Sequence, residues 1–357
     1  MINLAEKVPP SSPSPLNLSR TLHELCKRLD DEHSRCRFVA DLFKPQVALL
    51  RVKMRDYSIK MWNVDPVKNG VSAVDLYWRK GIYDTFTAAK TVKQGWTPVE
   101  RAYVKSHLFN GIGFLHHILS LVDELKAEFV RKSKRTEIIG ALGAFDFCNL
   151  PPYGHESKTG GRQQGSNLVQ IDIVAPISGS KGVLLQGHDL DRVESFLKSC
   201  AHRCLLCIGD LNRYMIDLGS NAQLQVAERY YFAALAVDPS NGAPYNQLAS
   251  MASTGGSADY GLEPAFFYLR GLNCGGKQFD GIEANFKSLL EKNEKAFDKY
   301  EALVNAGDGG LPELSPARET ERCAVYLLRL LRISLFADVN TELSSTCKKA
   351  LEALQHW

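Results

Sequence analysis

The chain has 357 residues, 45% of them hydrophobic and 23% charged, with a formal net charge of +3. That length is more than one compact core usually serves, so one large helical domain or two smaller ones are expected. The charge is too small to argue for nucleic acid by itself, and no apolar run reaches the roughly 18 residues that a membrane span needs.

The opening VPPSSPSP, residues 8–15, is rich in proline and serine and reads as a tail over 1–15. Helical patterning begins after it. LSRTLHELCKRL places Leu18, Leu22, Leu25, Cys26 and Leu29 on one face. A second helix resumes after Pro45, a residue tolerated at a helix start. VDLYWRKGIYDTFTAAK, residues 74–90, makes a third. The fourth has the clearest start: Thr97 as N-cap, Pro98 in the first turn and Glu100 three residues on form a capping box. No breaker other than glycine follows until about Arg135, so this helix is expected to run some 30 residues. Its end, RKSKR at 131–135, reads as a solvated helix terminus with cations placed to suit the helix dipole.

Residues 147–187 interrupt the pattern. PPYGHESKTGGRQQGSN has loop composition, and LVQIDIV with GVLLQG could pair as a short β-ribbon. This stretch is expected to be a long insertion, with no phosphate-binding loop signature among its glycines. Helices return near Asp189. AERYYFAALAVDPSNGAPYNQLASMA, residues 227–252, reads as two helices around a DPSNG turn, in the manner of a tetratricopeptide hairpin. About four further helices follow, the last from Asn340 to Gln355, and the chain ends there like a piece of something longer.

The chemistry-bearing residues are few. CAHRCLLC sets Cys200, Cys204 and Cys207 on one helix face beside His202, but no second cluster completes a zinc tetrahedron, and buried thiols are the simpler reading. With nine cysteines scattered over apolar helix faces and no signal-type start, reduced intracellular thiols are expected. His116 and His117 are adjacent and diverge on a helix, and no H-E-x-x-H or G-x-S-x-G motif is present. No catalytic residue, metal or cofactor is expected, and the chain is read as a non-enzyme. The informative stretch is CIGDLNRYMIDL, residues 207–218. Ile208, Leu211, Met215 and Leu218 form its apolar stripe, yet Arg213 and Tyr214 stand side by side within it. A guanidinium binds phosphate bidentately and a phenol adds a donor, so the pair suggests an anion site, against the plainer reading of a solvated Arg beside a packed Tyr. Such a site needs further cations. Arg79, Tyr83 and Lys90 share a helical face at spacings of four and seven, with Lys80 beside them.

NGIGF in the fourth helix carries two glycines about 200° apart around the axis. Gly111 falls on the apolar stripe with Val104, Leu108 and Leu115, where close packing explains it. Gly113 falls with Asn110, His117, Ser120 and Glu124, a polar face on which a second protein could approach closely.

CLLCIGDLNRY, AERYYFAALAVDPSNGAPYNQLA and VDLYWRKGIY together resemble the Smg adaptors of nonsense-mediated mRNA decay, which are related to the telomerase-associated Est proteins. RAYVKSHLFNGIGFLHHIL and WRK point to the fifth-Smg branch rather than the sixth or seventh. The resemblance covers most of residues 16–357 and leaves out the insertion. It implies an all-α fold: a 14-3-3-like antiparallel bundle over 16–240, then a TPR-like domain of α-helical hairpins over 241–357. It implies a phosphopeptide groove in which Arg213 and Tyr214 take the places of the 14-3-3 Arg-Tyr pair, with the 74–90 helix supplying the other cations. The match there is imperfect, because the seventh Smg protein has a lysine where this chain has Tyr83, and Arg79 and Lys80 lie one turn from the standard position. It implies pairing with the seventh Smg protein, here assigned to the face of Gly113, Asn110, His117 and Ser120. It further implies recognition of the phosphorylated Upf helicase, recruitment of protein phosphatase 2A, no sequence-specific nucleic acid binding, and a cytoplasmic site with nuclear shuttling. The competing reading is an interaction scaffold whose phosphate groove is vestigial.

Overall fold

The computed structural model describes residues 14–92, 95–133, 189–219, 223–254, 260–306, 315–336 and 346–351. The 147–187 insertion with its expected β-ribbon, the tail up to residue 13 and most of the expected last helix lie outside these residues. The described residues are all-α: every regular element among them is helical. The chain divides into two compact units, Met1–Asn221 and Ala222–Trp357.

In the first unit α1, Pro15–Ser34, starts at Ser14, whose hydroxyl accepts the Asn17 N–H at 3.4 Å. It buries the expected stripe of Leu18, Leu22, Leu25, Cys26 and Leu29. A 3₁₀ turn, Val39–Phe43, leads into α2, Pro45–Val64, which packs on α1. The next run is helical from Pro66 to Thr91 but not uniformly α. Two π-helical segments, Pro66–Gly70 and Tyr77–Tyr83, flank α3, Val71–Leu76, and α4, Asp84–Thr91, completes the run.

The capping box forms as expected. The Thr97 N–H donates to Glu100 Oε2 at 2.9 Å, and the Glu100 N–H donates back to Thr97 Oγ1 at 3.2 Å. From it α5 runs Pro98–Ser133 and packs along α6, Leu190–Ile216. Gly111 explains how closely: a Cβ there would stand 3.0 Å from Leu211 Cδ1 and 3.1 Å from Ile82 Cγ2. Trp62, Met54, Ile82, Leu108 and Leu115 are fully buried in this unit.

The second unit comprises α7, Gln223–Val237, α8, Gly242–Thr254, α9, Leu262–Leu272, α10, Ile282–Ala306, and α11, Pro316–Phe336, with a helical stretch at 346–351. Each helix from α7 to α11 packs on the next. The division of the chain falls one helix upstream of the 240/241 boundary expected from sequence. The DPSNG turn joins α7 to α8 as one hairpin, so it lies inside a unit rather than between two. The turn is pinned locally: the Gly242 N–H donates to Lys277 O at 2.8 Å, and a Cβ on Gly242 would meet the Phe279 nitrogen at 2.9 Å. No described helix is long and apolar enough to cross a membrane.

Candidate functional site

Arg213 and Tyr214 lie in the last turn of α6, and Tyr83 and Phe86 in the run that ends with α4. The two elements meet through aromatic rings. Phe86 stacks on Tyr214 with centroids 4.6 Å apart and planes 19° from parallel. Tyr83 lies 6.3 Å from Tyr214 on one side and 6.4 Å from Trp78 on the other. Such ring pairs add to the apolar burial that holds the elements together. Burial pushes the Tyr214 phenol above its ordinary range, so it stays protonated and keeps its donor.

Cations border this stack. The Arg213 guanidinium sits over the Tyr214 ring, 4.9 Å from its centroid, and Lys90 Nζ lies 5.4 Å from the Phe86 centroid. Tyr83, Lys90, Arg213 and Tyr214 are therefore brought together. Each of the two cations also has a carboxylate. Lys90 Nζ donates to Asp217 Oδ2 at 2.9 Å, between side chains 51% and 48% exposed. Arg213 Nη2 stands 3.8 Å from Asp210 Oδ1, between side chains 28% and 12% exposed.

Lys80 is held elsewhere. Its ammonium donates to both oxygens of Asp30 on α1, at 2.9 and 3.0 Å, and pairs with Asp84 at 3.1 Å. The hydrogen bond to Asp30, helped by Asp84, raises its pKa, so it is firmly cationic and works as a clasp between α1 and the π-helical run. Arg79 is exposed on the same run.

The π-helical segment decides how these residues face. The Asp84 N–H donates to Arg79 O, a five-residue step. The α-helical spacing that aligned Arg79 with Tyr83 in the sequence does not hold through it. The segment is fixed from both sides. A Cβ on Gly81 would meet the Tyr77 ring at 2.6 Å, so Tyr77 folds over the bare glycine and packs edge-on against Phe114. His107 of α5 lies with its Nε2 3.1 Å from Ile82 O. Burial lowers the His107 pKa to about 3, so the ring is neutral.

On α5, Asn110, Gly113 and Ser120 are exposed and His117 is half-buried. A Cβ on Gly113 would meet nothing within 4 Å. Cys200, Cys204 and Cys207 are buried, and burial raises the Cys207 thiol well above its ordinary range. Among the described residues no group of three or more His, Cys, Asp or Glu is arranged to hold a metal ion.

The sequence reading missed Asp210, Asp217, Asp30 and Phe86. The first two were legible in GDLNRYMID, where carboxylates stand three before and four after Arg213. The role of Asp30, fifty residues from Lys80, carried no local signal.

The Est1 DNA/RNA binding domain family matches residues 227–356, most of the second unit. Over 347 residues, 94% of the chain, it is 28% identical to the nonsense-mediated mRNA decay factor SMG5 of Danio rerio, covering 27% of that protein. The human SMG5 gives 28% over 348 residues, covering 29% of its length. The chain is similar to SMG5 proteins over nearly its whole length. A shorter match, 44% over 117 residues, links it to the Arabidopsis thaliana SMG7, covering 32% of this chain and 11% of that factor. The chain thus spans between a quarter and a third of the SMG5 proteins it matches.

Proposed function

We propose that this chain is a non-catalytic adaptor of nonsense-mediated mRNA decay that works through its outer faces, and that its aromatic cluster does not read phosphate by charge. One observation carries the reading: Lys80, Lys90 and Arg213, three of the four cations expected to hold phosphate, each stand beside a carboxylate of this same chain. A dianion arriving there meets a neutralised surface rather than a positive one, and must first displace those carboxylates.

The partner would be an SMG7-type protein, and the face of Asn110, Gly113, His117 and Ser120 would receive it. Gly113 supports this, since its bare backbone stands open where a second chain could come close. Recruitment of protein phosphatase 2A and of decay enzymes would follow from such pairing, in the cytoplasm. The family that matches the second unit is described as binding DNA or RNA, but protein contact is the better reading here. Lys287, Arg322, Arg329, Arg332 and Lys349 of that unit each pair with a glutamate, so these five do not present the unopposed charge that phosphate backbones require.

A second reading, direct recognition of the phosphorylated Upf helicase, has its own support: Arg213, Tyr214, Tyr83 and Lys90 do converge. Titrating the whole chain with a phosphoserine peptide from that helicase and with its unphosphorylated twin separates the two. The adaptor reading expects equal affinities. A phosphate preference of about tenfold or more, the value of one charge-assisted hydrogen bond, would favour the second.

A further inference from the structure

We infer that Asp217, assisted by Asp210, sets the ligand class of the aromatic cluster: the two carboxylates are built-in acceptors for Lys90 and Arg213 and so select against a phosphorylated side chain. This deepens the adaptor reading and rests on it. The cluster otherwise has the parts of an anion site. Two cations border one Phe86–Tyr214 stack, and the Tyr214 phenol is kept protonated as a donor. Lys90 and Arg213 both stand in the last turns of their helices, where the dipole favours positive charge. What turns the cluster away from anions is the carboxylates.

Asp217 is the telling residue. It directly follows Ile216, the last residue of α6, and is the C-cap of that helix. A negative charge there opposes the helix dipole, so helix energetics give no reason for an aspartate. It accepts from Lys90, 127 residues away, in an ion pair that closes the end of α6 against the end of α4. Both partners are about half exposed, so the pair itself contributes little stability. Its effect is on what Lys90 can bind. Asp210 acts alike on Arg213 from one turn back, and is the more buried of the two carboxylates. Removing the charge at 217 therefore changes ligand preference with little cost to the fold, whereas removing it at 210 risks the packing of α6.

The test uses the whole chain in four forms: wild type, Asp217→Asn, Asp210→Asn/Asp217→Asn, and Asp217→Asn/Lys90→Met. Each is titrated with a phosphoserine peptide and its unphosphorylated twin, with inorganic phosphate as competitor, after a thermal melt has verified the fold. Asp217→Asn should gain a preference for the phosphorylated peptide of about tenfold, one charge-assisted hydrogen bond, and inorganic phosphate should compete it away. The double aspartate variant, if folded, should gain more. Lys90→Met should cancel the gain. The inference is overturned if folded Asp217→Asn still binds both peptides equally, or if its gain survives Lys90→Met, since the effect would then be general charge. A wild-type preference for phosphate would sink the adaptor reading but not this inference, provided that Asp217→Asn raises the preference further.

Discussion

The two units are held together by different means. In the first, helices distant in sequence are tied by aromatic rings, a neutral buried histidine and ion pairs that reach the surface, such as Lys90–Asp217 and Arg203–Asp75. In the second, consecutive hairpins are tied by glutamates turned inward. Glu294 pairs with Arg329 and Arg332, Glu301 with Tyr326 and Lys349, and Glu321 accepts from the Tyr300 phenol at 2.8 Å. Arg322 is almost wholly buried, its side chain 2% exposed beside Glu319 at 2.6 Å. An exposed pair contributes little stability but can exchange partners. A buried pair is costly to break and offers nothing to a ligand. The exposed Lys90–Asp217 pair of the first unit is therefore one that a ligand could open.

The largest way to break the comparison is Glu319→Ala. It would leave the Arg322 charge buried without its carboxylate and should cost about 3–5 kcal/mol. Hydrogen exchange should show lost protection across α10 and α11. A cost below about 1 kcal/mol would mean that Arg322 behaves like a surface cation and that the contrast is overstated.

Acid should act on the first unit through His107. Its folded pKa of about 3 lies below its unfolded value of about 6.5, so between these values the unfolded chain binds the extra proton. That contribution is whole above pH 6.5 and is lost as pH falls through 3, at up to about 1.4 kcal/mol per pH unit. Urea midpoints measured from pH 7 to 4 should fall for wild type and flatten for His107→Gln. Equal slopes would remove the histidine from the account.

Glycines give the next contrast. Gly271→Ala in the second unit would press a methyl against Ile282 and bring it within 3.0 Å of Tyr245 Cβ, at a cost of about 1–3 kcal/mol. Gly113→Ala in the first meets open space and should stabilise the helix by about 0.5–1 kcal/mol. Melting temperatures decide both signs. The smallest effect is Lys90→Met, which should shift stability by less than about 1 kcal/mol in denaturant titration.

How much of this was legible in the sequence depends on the range of each interaction. The α1 stripe, the Thr97–Glu100 capping box and the packing role of Gly111 were readable because helical spacing or a four-residue motif fixes each. The π-helical steps at Tyr77–Tyr83 were not, because no local composition separates them from an α-helix. That alone undid the simple face argument for Arg79 and Tyr83. The pairing of Lys80 with Asp30 depends on tertiary packing across fifty residues, and the unit boundary on which helix pairs with which.

The central claim is that this chain acts by an outer face of α5 and not by the charged cluster. It is tested most directly by measuring the affinity of an SMG7-type partner for wild type, for Gly113→Glu and for Lys90→Met/Arg213→Met, each first shown to be folded. The account predicts that Gly113→Glu abolishes binding, by forcing a bulky carboxylate into the contact, and that the double cation variant binds like wild type. Loss of binding in the double cation variant with Gly113→Glu unaffected would contradict it.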